Sequence, residues 1–226
     1  MDGEPEFDRS WLMLCEGRTD KEFFHRLIKV HQVCVGKFKI YFPGDRHRDA
    51  GGNGEFGRYL SAMRVIKPSF RDNVEAVLIV SDNDDDMEAS LERIRANLDI
   101  NGFPAPDRTS VVAKKRNYPD VVILMLPFDA VGNLETLCLD AAYSKWEIRP
   151  ALDDYVKVVP AVAWSVGKQS KMRMHSILAA TCATKPETSF LHHWQEHEDY
   201  HIPLNDPCFN DLVDFLRNFE ALLNGA

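Results

Sequence analysis

The segment Val74–Asp84, which reads VEAVLIVSDND, decides the fold that this 226-residue chain is predicted to adopt. Its first half is almost wholly apolar and β-branched, a pattern typical of a strand buried on both faces in a parallel sheet. We predict the strand over Val74–Val80, with Asp82 and Asp84 directly after it. Since ligands bind beyond the carboxyl ends of parallel strands, the two aspartates mark a candidate site.

Similar strand patterns lie on either side of this segment, and amphipathic helices are predicted between them. The further strands are predicted at Trp11–Cys15, Phe38–Phe42, Val111–Ala113 and Val121–Leu126. The helices are predicted at Thr19–Val30, Phe56–Ile66, Met87–Leu98, Asn133–Ala142, Lys168–Ala183 and from Asp206-Pro207 onward. Thr19 and Glu22 have the S/T-x-x-E spacing of a capping box at the start of the first helix. Strands alternating with helices predict an α/β fold, Rossmann-like, with a mostly parallel sheet flanked by helices.

The strand signals stop near residue 130, and the chain beyond reads as mainly helical. We therefore expect an α/β core over 1–130 and a helical C-terminal portion over 131–226. No linker rich in proline or serine separates them. The two parts are thus predicted to pack together as a single compact unit.

Composition and charge narrow the class of protein. An apolar fraction of 45%, a charged fraction of 27% and a net charge of −8 are globular values, which exclude a disordered chain. No apolar run reaches the length of a membrane span, and the acidic first ten residues do not resemble a signal peptide. Five scattered cysteines with no CxxC pair indicate reduced thiols, so we expect a cytoplasmic protein.

Acidic residues follow three of the predicted strands. Glu16 and Asp20 come after the first strand, Asp82–Asp86 after the central one, and Glu135 after the last. Carboxylates gathered at one sheet edge repel one another, and a divalent cation removes that cost. Carboxylate ligands favour Mg²⁺ or Mn²⁺. The alternative for Asp84–Asp86 is that they open the next helix, where acidic groups complement the helix dipole.

Two segments resemble the motifs of the Toprim fold. Leu14–Asp20 (LCEGRTD) looks like its first motif, a strand ending in Glu-Gly, and Val77–Asp84 (VLIVSDND) looks like its second, ending in D-x-D. Primases, topoisomerases, recombination-repair proteins and the overcoming-lysogenization-defect (OLD) nucleases share this fold. The whole chain resembles small stand-alone Toprim-like proteins of uncharacterised function, in which segments like Gly132–Glu135 (GNLE) and Lys168–Lys171 (KQSK) follow.

The resemblance implies a role for each matching residue. Glu16 would act as acid, base or metal ligand, and Lys168 or Lys171 would stabilise developing phosphate charge. Candidate metal ligands are Asp20, Asp82, Asp84, Asp86 and Glu135. One departure is that Asp85-Asp86 stands where many Toprim domains place a glycine.

The implied activity is phosphodiester hydrolysis or transfer on nucleic acid, most simply a DNA nuclease that uses Mg²⁺ or Mn²⁺. Five basic residues are candidates to hold the nucleic-acid backbone, although solvated surface is the simpler account of each: Arg46, Arg48, Lys114, Lys115 and Arg116. Because no DNA-binding module is recognisable, an alternative is a non-catalytic or partner-dependent module of a two-protein system. A separate ATPase and a second copy of the chain are the partners considered.

Two further patterns suggest other chemistry. His197–His201 (HEDYH) matches the H-E-x-x-H zinc motif, but Pro203 would end any helix just beyond it. A receiver-type phosphoacceptor would phosphorylate Asp82 and hold Mg²⁺ through Glu16 and Asp20. Labelling of the protein by acetyl phosphate, without DNA cleavage, would identify a phosphoacceptor.

Overall fold

The computed structural model describes residues 7–45, 55–195 and 202–225. In these residues five strands form one sheet in the order β2-β1-β3-β5-β4, and all pairings are parallel except that of β4 with β5. The strands are β1 (Trp11–Cys15), β2 (Phe38–Tyr41), β3 (Ala76–Asp82), β4 (Val112–Ala113) and β5 (Asp120–Leu126). The predicted α/β fold with a mostly parallel sheet is confirmed.

Helices cover both faces of the sheet. Within the described residues they are α1 (Arg18–His31), α2 (Phe56–Ile66), α3 (Pro68–Asn73), α4 (Met87–Ile100), α5 (Leu134–Lys145), α6 (Arg149–Val158), α7 (Val166–Thr181), α8 (Phe190–Gln195), α9 (Asn210–Arg217) and α10 (Phe219–Gly225). Short 3₁₀ turns at Pro43–Asp45, Pro160–Ala163 and Pro207–Phe209 complete the set. Among these helices, none combines the length and apolar character that crossing a bilayer requires.

The core divides into two layers because neighbouring side chains on a strand point to opposite faces. In β1, Trp11 and Met13 belong to one buried cluster, whereas Leu12 and Leu14 belong to the other. Helices α2, α3 and α4 complete the second cluster. Helix α1 and the helices beyond residue 133 complete the first, so the C-terminal portion shares a core with the sheet.

Aromatic contacts pack the C-terminal helix α10 against the sheet. Phe219, the first residue of α10, is fully buried, with its ring centroid 5.3 Å from that of Trp11 and 5.2 Å from that of Phe38. Burying one such side chain contributes roughly 1.5–3 kcal/mol to the free energy of unfolding. The C-terminal helices therefore cover the face of the sheet that would otherwise expose β1 and β2.

The predicted elements differ from the observed ones in a few places with clear causes. β3 begins two residues later than predicted and includes Asp82, because the ladder with β5 continues to Leu126. Helices α3, α6 and α8 were not predicted, since they have only 6, 10 and 6 residues and a weak apolar pattern. The predicted last helix is interrupted at Asn218, between α9 and α10.

The start of α1 also differs from expectation. The sequence favours a capping box between Thr19 and Glu22, but the helix begins one residue earlier, after Gly17. There Asp20, in the first turn, accepts a hydrogen bond at Oδ2 from the Gly17 N–H at 2.8 Å. The real cap therefore uses one of the candidate site carboxylates.

Candidate functional site

The two acidic motifs meet where the strand order changes direction. The chain passes from β1 to β2 on one side, then crosses to β3 on the other side of β1. β1 and β3 are parallel neighbours, with Cys15 opposite Val80. Glu16 follows Cys15 directly, and Asp82 closes β3. This topological switch point is where open α/β sheets form their binding crevice.

Glu16 is held at this edge by hydrogen bonds from β3. The Ser81 hydroxyl donates to Glu16 Oε2 at 2.8 Å, and the Asp82 backbone N–H approaches the same oxygen at 3.3 Å. Ser81 itself is buried. The carboxylate of Glu16 is therefore fixed across the β1–β3 pair, and its second oxygen has no part in these two bonds.

Asp20 lies beside Glu16 because α1 begins directly after the β1 motif. The pKa of Asp20 is raised to about 7, mainly by burial and also by the negative charges of Glu16 and Glu135. The Gly17 N–H bond and the positive charge of Lys171 oppose this rise. Near neutral pH this carboxyl group therefore exists in both protonation states.

Asp82 and Glu135 bring β3 and α5 together. The Leu134 backbone N–H, at the first residue of α5, donates to Asp82 Oδ1 at 3.0 Å. Burial raises the pKa of Asp82 well above its usual value, and Asp20, Glu16 and Glu135 add to that effect. Burial also raises the pKa of Glu135, opposed by the charges of Lys171 and His175. We call Glu16, Asp20, Asp82 and Glu135 the acidic cluster.

A buried polar contact between α5 and α7 sets the position of Lys171. Asn133 caps α5 by accepting from the Thr136 N–H at 3.1 Å, and its Nδ2 donates to the Gly167 carbonyl at 3.1 Å. The Thr136 hydroxyl donates to Ser170 Oγ at 2.8 Å. Lys171 follows Ser170 directly, which brings its positive charge to the acidic cluster.

The remaining candidate aspartates have different surroundings. Asp84 is exposed and has a φ of 52°, while its carbonyl accepts from the Gly132 N–H at 2.7 Å. Asp86 caps α4, accepting at Oδ1 from the Ala89 N–H at 2.9 Å, as the helix-start alternative predicts. We do not include Asp86 in the metal site proposed below, whereas Asp84 stays a predicted ligand from the solvent side.

The five candidate backbone-binding residues do not gather at the acidic cluster. Lys114, Lys115 and Arg116 lie before β5, at the sheet edge opposite to the one that carries Asp82. Lys114 Nζ donates to the Leu223 carbonyl at 3.0 Å, and Lys115 Nζ donates to that of Gly102 at 2.6 Å. The other two candidates, Arg46 and Arg48, lie outside the described residues.

The histidine-rich segment is described only in part. His193 is buried, and its Nε2 accepts a hydrogen bond from the Ile202 N–H at 3.0 Å, which gives it a structural role. The predicted zinc motif at His197–His201 lies outside the described residues.

Several residues that build the site were not predicted from the sequence: Ser81, Asn83, Asn133, Ser170 and His175. All but His175 are buried polar residues. Asn83 Nδ2 donates to the carbonyls of Pro127 and Ala130, at 2.5 and 2.6 Å. The available signal was the single uncharged polar residues on either side of Asp82 and before Glu135, because such groups are buried only where they have hydrogen-bond partners.

The donor set suits a hard divalent cation. Four carboxyl groups and the Ser81 hydroxyl supply only oxygen atoms, the ligands of Mg²⁺ and Mn²⁺. Burial raises the pKa of Asp20, Asp82 and Glu135, and carboxylate repulsion adds to the rise for Asp20 and Asp82; a cation would offset both effects. Within the described ranges, no three His, Cys, Asp or Glu side chains already converge into a complete metal site.

Comparison with known proteins gives one match. Residues 10–221 match the model of a family described as "Protein of unknown function (DUF3226)". No curated protein and no solved structure matches the chain. The family match spans every described element from β1 to α9 and the start of α10, and it therefore includes the acidic cluster.

Proposed function

The chain belongs to the DUF3226 family, whose description assigns no function, and we propose from its acidic cluster that it is a Mg²⁺- or Mn²⁺-dependent nuclease. The activity would be phosphodiester hydrolysis or transfer on nucleic acid, with DNA as the expected substrate. The reduced cysteines support a cytoplasmic setting for this activity.

One observation carries the proposal: Glu16 after β1, Asp20 on α1, Asp82 on β3 and Glu135 on α5 lie near enough at the switch point of the sheet to interact electrostatically. Burial raises the pKa values of Asp20, Asp82 and Glu135, and neighbouring carboxylates also raise those of Asp20 and Asp82. Such shifts cluster at functional sites, because a folded protein has little structural reason to gather like charges. The likeness of the Glu16 and Asp82–Asp84 motifs to the Toprim fold supports the same activity.

Each residue of the cluster has a role that follows from its surroundings. Asp82, Asp20 and Glu135 would hold the metal, with Asp84 available from solvent. Glu16, fixed by Ser81, would accept a proton or complete the ligand set. A bound Mg²⁺ would supply an activated water and stabilise the attacking and leaving oxygens. Lys171 places positive charge where a phosphate would enter, and Lys168 lies one turn before it on α7.

The test is cleavage of plasmid and single-stranded DNA by the purified chain in Mg²⁺, Mn²⁺ or EDTA. Glu16→Gln and Asp82→Asn should lower metal-dependent cleavage by at least ~100-fold, the usual contribution of an acid-base group. Asp72→Asn, which changes an exposed carboxylate on α3, is the matched control and should cleave at the wild-type rate.

The other outcomes separate the alternatives. Cleavage that persists in both variants would assign the activity to a contaminant and contradict the proposal. No cleavage in any metal, together with activity on adding a partner such as a separate ATPase, would support the partner-dependent module. Labelling of Asp82 by acetyl phosphate without cleavage would support a phosphoacceptor.

A further inference from the structure

An open depression lies beside the acidic cluster, at the start of α7. Its lining residues are Trp164, Lys168, Lys171 and Met172, and its volume is about 390 Å³. That volume falls within the ~300–1,000 Å³ range of small-molecule sites. We call this depression the Trp164 subsite. Lys171 belongs to both the subsite and the surroundings of the acidic cluster, so the two are adjacent.

The indole of Trp164 is presented to solvent by a backbone that is held in place. Trp164 is 46% exposed, although tryptophan is among the largest apolar side chains. The backbone N–H of Trp164 donates to the Ala161 carbonyl at 3.0 Å, and the backbone carbonyl of Trp164 accepts from Gln169 Nε2 at 3.0 Å. The ring therefore lies on a hydrogen-bonded turn between the Pro160–Ala163 segment and α7. Because this backbone is already ordered, little conformational entropy of the protein is lost when a ligand stacks on the ring.

Charge distinguishes this depression from the other one described on the surface. Lys168 and Lys171 are three residues apart on α7, so both ammonium groups lie on one side of the helix. The second depression, of about 610 Å³ along α4, is lined mainly by acidic residues: Asp86, Glu88, Glu92 and Asp107, beside Arg95. In a chain with a net charge of −8, the Trp164 subsite is the one of these two depressions whose charge attracts phosphate.

An exposed tryptophan flanked by two lysines is the chemistry that recognises unpaired nucleotides. The indole offers a face on which a base stacks, and the lysines neutralise the adjoining phosphates. Bases within a duplex are already stacked on their neighbours and do not offer a free face. We propose that the Trp164 subsite binds an unpaired nucleotide of single-stranded nucleic acid and directs the next phosphodiester toward the acidic cluster.

This inference rests on the proposed function, since it names the form of substrate that the same site takes. The test is fluorescence anisotropy in EDTA with a labelled 15-nucleotide oligothymidine and a duplex of equal length. Trp164→Ala should weaken binding to the single strand roughly 5- to 150-fold, the equivalent of one lost stacking contact. Trp164→Phe should retain most of the affinity, because a phenyl ring also stacks.

Three further measurements separate the loss of a stacking contact from a general loss of apolar surface, charge or folding. Val158→Ala removes an 80%-exposed apolar side chain outside the subsite and should leave binding unchanged. Lys168→Ala should weaken binding and also reduce its dependence on salt, because one phosphate contact is lost. Thermal unfolding of Trp164→Ala should match wild type, since the removed ring is half exposed.

The outcomes keep the two proposals distinguishable. Equal affinity of wild type and Trp164→Ala for the single strand would overturn the subsite, even if plasmid cleavage is lost in Glu16→Gln. Weakened binding in Trp164→Ala with no cleavage by wild type would support the subsite and contradict a self-sufficient nuclease. Unchanged binding with a changed oligomeric state in light scattering would identify a protein interface instead and overturn the inference.

Discussion

Replacing Asp20 with asparagine should make the metal-free protein more stable at neutral and alkaline pH. The unfolded chain releases the Asp20 proton near pH 3.8, whereas the folded chain retains it up to about pH 7. Between these values the folded state binds more protons, so the free energy of unfolding falls as the pH rises. Asparagine carries no charge, and its carbonyl can still accept the Gly17 hydrogen bond.

The size of the gain follows from the two pKa values. A difference of one unit corresponds to ~1.36 kcal/mol, which gives at most about 4 kcal/mol at pH 8 and about 2 kcal/mol at pH 5. Neighbouring carboxyl groups relieve part of the repulsion by taking up protons themselves. We therefore expect Asp20→Asn to gain about 2–4 kcal/mol at pH 8 and about half as much at pH 5.

The assay is urea denaturation in EDTA at pH 5 and pH 8, followed by circular dichroism. Asp72→Asn is the matched control, because it removes an exposed carboxylate from α3 and should change the free energy of unfolding little at either pH. Equal or lower stability of Asp20→Asn at pH 8 would refute the argument that repulsion and burial strain the cluster.

Magnesium should narrow the difference in stability between the two proteins. A ligand that binds only the folded state stabilises it by RT ln(1 + [L]/Kd), which is about 2.7 kcal/mol at a hundredfold excess over Kd. Wild type should gain this stability in Mg²⁺, whereas Asp20→Asn, with one carboxylate fewer, should gain less. A variant that is more stable without metal and less responsive to it is the signature of a cation site.

Three further predictions concern two residues that position the acidic cluster and the ionisation of Asp20. Asn83→Ala should lower the free energy of unfolding by about 2–4 kcal/mol in urea titration, because two loop carbonyls lose their donor. Gly132→Ala should lower both the melting temperature and the cleavage rate, since φ is 129° there and a Cβ would strike the Thr136 side chain. At low Mg²⁺ the cleavage rate should rise up to about tenfold per pH unit below pH 7 and then level off, as Asp20 ionises. A flat profile from pH 6 to pH 8 would exclude Asp20 from the site.

The sequence predicted the parts of the fold that depend on short-range patterns. Continuous apolar runs placed β1, β3 and β5, and their order with the intervening helices placed Glu16 and Asp82 at one edge. Asp20 was a candidate because it follows the first strand and because Leu14–Asp20 resembles a Toprim motif. What the pattern did not contain was the cap that Asp20 forms, because Thr19 and Glu22 offered an equally good local alternative.

Long-range packing determined the rest. Lys171 reaches the acidic cluster only because Asn133 and Thr136 on α5 bind Gly167 and Ser170 on α7, 34 residues away in the chain. No periodicity signals such a contact. Lys114 and Lys115 show the reverse case, since their basic run resembles a phosphate site but lies at the far edge of the sheet.

The four residues Ser81-Asp82-Asn83-Asp84 explain how a strained acidic cluster stays folded. The two uncharged members hold neighbouring segments in place through hydrogen bonds. Ser81 donates to Glu16, and Asn83 donates to two carbonyls of the loop after β5. The two aspartates that alternate with them are left for chemistry, although Asp82 accepts one bond from α5 and the carbonyl of Asp84 accepts one from the Gly132 N–H. Each residue thus ties β3 to a different segment, and these ties offset the repulsion that the carboxylates generate. Exchanging Ser81 or Asn83 for an apolar residue should therefore loosen the cluster and weaken Mg²⁺ binding, although all four carboxylates of the cluster are retained.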